Sequence, residues 1–222
     1  MGFFDTLSAI GSAIGSAVST VCGALGSVGA KLGSIIGPLV PHIGTIVGII
    51  DAVVKIFGIF KQEYSLEDYG AAMREAEKKP KDFDNINAYI DYLNEEMKEG
   101  RINLNREKSA LDKGIDQSLG AGLAIMVINE KYKLQTGAEF WLGMGKKFNE
   151  GKLDAQDVET IIIKSSQKGI NAEDIGSYMQ NKNLENGTKP SVISDMLEES
   201  LKNNPALSDQ ECKKKLRDLI KD

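Results

Sequence analysis

The sequence predicts an all-α protein in which a glycine-rich hydrophobic helical hairpin packs on, or is attached to, a multi-helix bundle. Three observations predict this fold class. The first 60 of the 222 residues carry two acidic and two basic side chains, whereas the others carry 30 acidic and 25 basic ones. Apolar residues recur every three or four positions, and no alternating strand pattern persists. We therefore divide the chain into a glycine-laddered hydrophobic hairpin, residues 1–60, and a soluble acidic helical domain, residues 61–222.

The hydrophobic hairpin contains two long stretches without charge, residues 6–30 and, when His42 is neutral, residues 32–50. The hydrocarbon core of a bilayer is about 30 Å thick and requires roughly 20 apolar residues in a helix. As helices, residues 43–60 would extend about 27 Å and residues 6–30 about 37 Å. Both lengths are typical of segments that enter a membrane, so we predict membrane insertion for this hairpin.

Two prolines divide the hairpin. Pro38 and Pro41 disfavour helix in the residue before each of them and interrupt the hydrogen bonds of a regular helix. They predict a turn at residues 37–42 with His42 at its tip, where His42 is either a polar tip residue or a pH-sensitive trigger. The helices predicted on the two sides of this turn cover residues 6–36 and 43–60.

Small residues recur at every fourth position of the hairpin, so they share one face of a helix. In water, a glycine in a helix interior costs about 1 kcal/mol relative to alanine, so this many glycines need a physical reason. A face without side chains lets another helix approach closely, as in membranes. A helical hairpin buried inside a soluble fold explains the same pattern, and both states can occur at different times. The residues predicted to pack helices in this way are Gly11, Gly15, Gly23, Gly29, Gly33, Gly37, Gly44 and Gly48.

Asp51 and Lys55 are four residues apart, so they can pair on one helix face. Charges near the centre of a bilayer are costly unless they are paired and face the inside of an assembly. Two interpretations remain open: the pair lines a polar path in an oligomer, or the apolar helix stops spanning at Asp51.

Residues 61–222 have the pattern of short helices separated by glycines and prolines. Residues 119–128 are apolar over ten positions and predict a buried core helix, and Trp141 is expected to be a core anchor rather than a binding residue. The N-terminal capping signals are Ser65 with Asp68, Thr136 with Glu139, Ser208 with Glu211, Asp154, and Asn171. The predicted helices cover residues 65–79, 83–98, 104–133, 137–149, 154–168, 172–182, 190–203 and 208–221.

Composition and motifs exclude several functional classes. A net charge of −5 with interleaved basic and acidic residues argues against nucleic-acid binding. Cys22 and Cys212 are far apart and His42 is the only histidine, which leaves no disulfide framework and no metal cluster. Neither a G-x-S-x-G elbow nor a P-loop is present. We therefore predict no catalytic residue, no metal, no cofactor and no enzymatic activity.

A glycine-laddered hydrophobic amino terminus on a small, acidic, helical chain without catalytic motifs resembles the small pore-forming antibacterial effectors of the type VI secretion system. About a quarter of the chain carries the resemblance, through Gly11, Gly15 and Gly23, Gly29, Gly33 and Gly37, and Gly44 and Gly48. It implies a toxin that forms an ion-selective pore in the inner membrane of a rival cell and kills by depolarisation. It also implies delivery by a secretion tube, with the cargo in a hexameric ring, and a cognate membrane immunity protein. No basic region precedes the apolar stretch, so secretion without a signal peptide is expected.

The expected mechanism has a soluble state and a membrane state. In the soluble state the hairpin is held against the helical domain or a carrier protein, and at a membrane it inserts into lipid and associates with other copies. The candidate pore-lining residues are Ser12, Ser16, Ser19, Thr45, Asp51 and Lys55. Two other classes remain open: an effector whose amino-terminal segment translocates an enzymatic helical domain, and a non-toxic structural or interaction component of a phage or secretion assembly.

Overall fold

Helices form all the regular structure in the part of the chain that the structure describes. A computed structural model describes residues 3–203 and 207–220, and the side chains of these residues outside 3–12, 24 and 26–28. Over those residues there are helices and no strand, which confirms the all-α prediction. The α-helices are α1 (Phe3–Ala24), α2 (Gly26–Ile36), α3 (Ile43–Ile56), α4 (Leu66–Glu75), α5 (Ile86–Lys98), α6 (Ala110–Tyr132), α7 (Ala138–Asn149), α8 (Ala155–Lys168), α9 (Ala172–Met179), α10 (Pro190–Lys202) and α11 (Asp209–Ile220). Short 3₁₀ helices cover Gly37–His42 and Pro80–Asp82.

The predicted turn of the hydrophobic hairpin is in the wrong place. The helix predicted over residues 6–36 is interrupted at Leu25, where α1 ends and α2 begins. At this point the Leu25 amide donates to the Cys22 carbonyl at 3.1 Å, and a Cβ atom added at Gly29 would lie 1.7 Å from the same carbonyl oxygen. The chain reverses here because Gly29 has no side chain to collide with α1, and α1 then packs along α2 and the 3₁₀ helix Gly37–His42.

The residues predicted to form the turn continue the helix instead. Pro38, Pro41 and His42 are exposed in the 3₁₀ helix Gly37–His42, and the chain is helical without a break from Gly29 to Ile56. Pro38 occupies the first turn of the 3₁₀ helix, where its missing amide hydrogen costs no bond, and its fixed φ suits a helix. His42 is therefore not at the tip of a hairpin.

All eight helices predicted for residues 61–222 are present, with shifted ends. The largest shift is at α6, which begins at Ala110 rather than at residue 104. The caps at Ser65, Asp154 and Asn171 are confirmed: each of these side chains accepts from a backbone amide in the first turn of its helix. The Ser208 hydroxyl likewise accepts from the Glu211 amide, at 3.4 Å.

The cap predicted at Thr136 is wrong. Gly137 occupies the N-cap position of α7, and the carboxylate of Glu173 on α9 accepts from the amide of Gly137 at 2.6 Å and of Glu139 at 3.1 Å. Thr136 instead accepts from Trp141 Nε1 at 3.0 Å, and the indole is fully buried. Trp141 is thus a core residue, and the helix dipole of α7 is met by a carboxylate that is distant in sequence.

The chain forms two compact units, each discontinuous in sequence. The first contains Met1–Ile43 and Ile59–Val127, and the second Gly44–Gly58 and Ile128–Asp222. Each unit therefore combines residues from both sides of residue 60. The proposed division of roles at that residue stays a prediction.

Close helix crossings at glycine organise the interior of both units. In the first, a Cβ atom at Gly70 of α4 would lie 1.8 Å from the Asp116 carbonyl, and one at Gly120 of α6 would lie 1.9 Å from the Leu66 carbonyl. In the second, a Cβ atom at Gly176 of α9 would lie 2.1 Å from the Glu139 carbonyl on α7. The helices α4 and α6, and likewise α7 and α9, can approach so closely only because glycine occupies the crossing point.

Candidate functional site

The hydrophobic segment buries its bulky side chains and leaves many of its small residues towards solvent. On α1 the buried residues recur every three or four positions, and the same holds for α2, the following 3₁₀ helix and α3. Gly23, Gly37, Gly44 and Gly48 are exposed. The buried residues are Ile14, Val18, Cys22, Leu25, Leu32, Ile36, Leu39, Val40, Ile46, Ile49, Ile50, Val53 and Val54.

Only some of the predicted packing glycines pack inside the described part of the chain. Gly29 does, against the Cys22 carbonyl, and Cβ atoms at Gly33 and Gly48 would make ordinary contacts at 3.7 Å. Around four others, no described atom lies within 4 Å of an added Cβ, excluding the immediate neighbours and the helix's own backbone. These four open glycines are Gly15, Gly23, Gly37 and Gly44, and the surroundings of Gly11 lie outside the described side chains.

Three of the open glycines share a groove with small neighbours. The groove has a volume of about 410 Å³ and belongs to the first unit, where α1 packs along α2 and the 3₁₀ helix. Its lining consists of Gly15, Val18, Ser19, Cys22, Gly23, Gly29, Ala30, Gly33, Gly37 and Val40. The ladders that the sequence placed on a single helix thus come from two helices that face each other across a glycine-lined groove.

The candidate pore-lining residues lie in both units. Ser16 and Ser19 are exposed on α1, and the side chain of Ser12 lies outside the described set. Thr45 is half-buried on α3, where its carbonyl accepts from Asn149 Nδ2 at 3.0 Å. The structure brings Asp51 and Lys55 together at 2.9 Å, as predicted from their spacing, and about a quarter of each side chain is exposed.

One helix of the described chain is long and apolar enough to cross a membrane. It runs from Gly29 to Ile56 over 28 residues, with a mean hydropathy of 1.7 in its most apolar 18-residue window, and 39% of that window is buried. At about 1.5 Å per residue, its length of roughly 42 Å exceeds the bilayer core of about 30 Å. It contains residues 43–56 of the span predicted over residues 43–60, whereas the span predicted over residues 6–30 lies partly outside the described side chains.

Several charged groups of residues 61–222, called the body from here on, form structural contacts with one another. Asp116 of α6 is fully buried between Arg74 at 2.8 Å and Lys108 at 3.2 Å. Burial disfavours the charge of Arg74, yet hydrogen bonds to Asp116 and Asp112 raise its pKa. This network fastens the loop before α6 to α4, and its position could not be read from the sequence because its members are far apart in the chain.

The side chains of a polar cavity in the second unit are also engaged in structural contacts. It measures about 600 Å³, and Glu139, Glu173 and Lys182 contribute to its lining. Glu173 caps α7, whereas Glu139 pairs with Lys182 at 2.6 Å. No group of three or more metal-binding side chains occurs among the described residues. These contacts give the carboxylates of the cavity a structural role.

Sequence reasoning missed the contacts that hold α3. A Cβ atom at Gly145 of α7 would lie 2.7 Å from the Thr45 carbonyl, and Asn149 donates to that same carbonyl. The G-x-G spacing at Gly143 and Gly145 was visible, but nothing local indicated that Gly143 faces α9 and Gly145 faces α3.

Comparison with models of protein families, with curated proteins and with solved structures finds no match.

Proposed function

We propose that this protein is a secreted antibacterial toxin that inserts into the inner membrane of a target cell and forms an ion-conducting pore, which depolarises the cell. The observation that carries the proposal is the apolar helix Gly29–Ile56, whose length exceeds that of a bilayer core. The fold described above is then the water-soluble form of the protein, which precedes insertion.

The burial pattern of this helix supports a change of environment. Most of its bulky apolar residues are at least half-buried, Ile56 being exposed, whereas its other face carries glycine, serine, proline and two basic residues, Lys31 and His42. A helix with only one covered apolar face can stay in water while docked. In lipid, the apolar residues exchange protein neighbours for acyl chains at little cost, since both environments are apolar.

The open glycines support self-association in the membrane. Inside the described chain, Gly15, Gly23, Gly37 and Gly44 have no neighbour close to an added Cβ. In a helix in water each such glycine costs about 1 kcal/mol relative to alanine, and no described atom offers these glycines a compensating contact. Packing against a second copy in lipid provides one, because small residues let helix backbones approach closely.

An ion path needs polar groups on the inserted segment. Asp51 and Lys55 supply paired charges on α3, and Ser16, Ser19 and Thr45 supply hydroxyl groups. Their pairing lowers the cost of placing charge within the membrane. We propose that these groups, together with Ser12, line the path.

Delivery and protection complete the proposal. A type VI secretion tube or a carrier protein would bring the chain to the target, without a signal peptide, and a membrane immunity protein would protect the producing cell. These partners follow from the resemblance of the glycine-laddered amino terminus to the pore-forming effectors of that system.

Ion flux across pure lipid vesicles tests the proposal. Full-length protein is added to vesicles of phosphatidylethanolamine and phosphatidylglycerol that hold a potassium gradient, and a voltage-sensitive dye reports the membrane potential. We expect dissipation of the potential at nanomolar to micromolar protein. Vesicles contain no substrate for an enzymatic domain and no partner for an assembly component, so an unchanged potential would contradict the pore.

A truncation at residue 60 is not a suitable test. Each compact unit contains chain from both sides of that residue, so cutting there removes part of both cores. Full-length variants of single positions keep both units complete and are the better comparison.

A further inference from the structure

We infer that the carboxyl-terminal half of α7 is a latch that keeps α3 docked in the water-soluble form and controls its release for membrane insertion. The latch consists of Gly145, Phe148 and Asn149, which lie at i, i+3 and i+4 and so share one face of α7. The inference rests on the proposed function, whose inserted segment includes α3. Both helices contribute their latch residues to the second compact unit.

The first part of the latch is a close backbone approach. A Cβ atom at Gly145 would lie 2.7 Å from the Thr45 carbonyl oxygen and 3.2 Å from Ile46 Cα. Both of these atoms belong to the backbone of α3, so no rotation of a side chain would relieve the overlap. Any side chain at position 145 therefore pushes α3 away from α7.

The second part is a hydrogen bond from a side chain to the main chain. Asn149 Nδ2 donates to the Thr45 carbonyl at 3.0 Å, in the first turn of α3. Phe148 lies beside it, with its Cε1 atom 3.7 Å from the position of a Cβ at Gly48. Three neighbouring residues of α7 thus contact a single turn of α3.

The far end of this segment has contacts of its own. Lys131 Nζ reaches the Phe57 carbonyl at 3.5 Å and lies 5.6 Å from the centroid of the Phe57 ring. Phe57 also contacts Tyr132, with ring centroids 4.7 Å apart. Like the Asn149 bond, the Lys131 bond is exposed to solvent, and it is at the distance limit for a hydrogen bond. What distinguishes the amino-terminal turn of α3 is the close backbone approach at Gly145.

Release of α3 is unfavourable in water and favourable in lipid. Five of its side chains are fully buried: Ile46, Ile49, Ile50, Val53 and Val54. Exposing them to water is opposed by the hydrophobic effect, whereas a bilayer accepts them. The latch contacts act on the docked state alone, so weakening them raises the population of released α3 and the rate of insertion.

Two release variants and two matched controls test the latch in the full-length protein. Gly145→Ala introduces the overlap with α3, and Asn149→Ala only removes atoms. Gly143→Ala is the control for the first, since its Cβ would lie 3.0 Å from the Gly176 carbonyl on α9 and not against α3. Lys146→Ala is the control for the second, as an exposed residue on the same helix.

The first measurement is hydrogen exchange of the α3 amides in water without lipid. Loss of one hydrogen bond is expected to speed this exchange about threefold to tenfold in Asn149→Ala, and the overlap in Gly145→Ala is expected to speed it more. The two controls should leave α3 exchange within about twofold of the native rate. Unchanged α3 exchange in both release variants, or an equal increase in Gly143→Ala, would overturn the latch.

The second measurement is co-flotation with the lipid vesicles, followed by potassium flux. We expect both release variants to raise the vesicle-bound fraction and to shorten the lag before flux. Faster α3 exchange with unchanged vesicle binding overturns control of insertion by the latch. Greater vesicle binding with no flux from any variant or from the native protein supports the latch and refutes the pore, so the two proposals fail separately.

Discussion

The four open glycines of the apolar segment and the glycines at the helix crossings of the body have opposite surroundings. Gly120 and Gly176 each place a backbone carbonyl within about 2 Å of where a Cβ would lie, whereas Gly15, Gly23 and Gly37 have open space there among the described atoms. The body crossings already use the absence of a side chain to stabilise the fold. Among the described atoms, the open glycines make no such contact.

The difference also separates two kinds of helix in one protein. The body fixes its helices with backbone contacts, capping carboxylates and buried ion pairs, all of which require a specific geometry. The outward face of the apolar segment carries many small residues and the groove of about 410 Å³. Such a face loses little when the helix changes its environment, and this is what the proposed insertion requires.

The largest expected effect is a loss of stability at a body crossing. Gly120→Ala places a methyl group 1.9 Å from the Leu66 carbonyl, so we expect the free energy of unfolding to fall by about 3 kcal/mol or more. Gly15→Ala should leave it unchanged or raise it by up to about 1 kcal/mol, from helix propensity. Urea denaturation followed by circular dichroism measures both, and equal losses would remove the distinction between the two kinds of glycine.

The next effect concerns the groove. Replacing Gly15, Gly23 and Gly37 together by Leu should reduce vesicle ion flux at least tenfold, because leucine side chains prevent close helix packing in lipid. The free energy of unfolding should change by less than about 1.5 kcal/mol, since these positions are open in the soluble fold.

The matched control for the groove is a triple leucine variant at Ala13, Thr20 and Ser34. These are exposed residues of the same segment that do not line the groove. If the control loses as much flux as the groove variant, added bulk rather than groove packing is responsible. Gly29 is unsuited to this experiment because it already packs on α1 in the soluble fold.

A smaller effect concerns a buried carboxylate of the body. Burial of Asp174 opposes its charge, but hydrogen bonds from Thr188 and Asn186 outweigh this and lower its pKa below the ordinary value. Stability from this group is thus fully present above its pKa in the unfolded chain and is lost as pH falls through the lower folded value. Asp174→Asn should cost about 1 kcal/mol at pH 7, and the gap from the native protein should narrow below pH 4 in acid denaturation. A gap independent of pH would contradict this role.

The smallest effect on stability is expected at the charge pair of α3. Lys55→Gln removes a partly exposed i, i+4 pair with Asp51, which contributes about 0.5 kcal/mol, so the midpoint of thermal denaturation should fall by only about 1–2 °C. If the pair lines the ion path, loss of the positive charge should favour cations. The reversal potential of vesicle currents should then move towards the equilibrium potential of the cation by roughly a few tens of millivolts. An unchanged reversal potential would exclude Lys55 from the path.

Local patterns predicted the elements of the body well. Ser65, Asp154 and Asn171 begin helices as expected, because a capping side chain bonds to amides two or three residues away and needs no distant partner. The cap predicted at Thr136 was wrong because the amino terminus of α7 is capped by Glu173, which lies 37 residues further along the chain. The caps that depend on tertiary contact have no local signal.

In the hydrophobic segment, too, the features set by neighbouring residues were predictable and those set by distant contacts were not. Its composition predicted apolar helices and the pairing of Asp51 with Lys55, since these depend on the spacing of residues along one helix. The reversal at Leu25 could not be read from the sequence, because glycine permits a close approach at many positions and requires it at none. Two prolines were the stronger local signal for a turn, yet their φ angle also suits a 3₁₀ helix.

The sequence by itself determined an all-helical chain with a charge-poor, glycine-laddered amino terminus and a charged body, because hydrophobic periodicity and capping act over a few residues. Only the tertiary structure decided which glycines are closely packed, where the apolar chain reverses and which turn of α3 is held by α7. Those outcomes depend on distances between backbones far apart in sequence. A glycine in the sequence permits such contacts without specifying the partner.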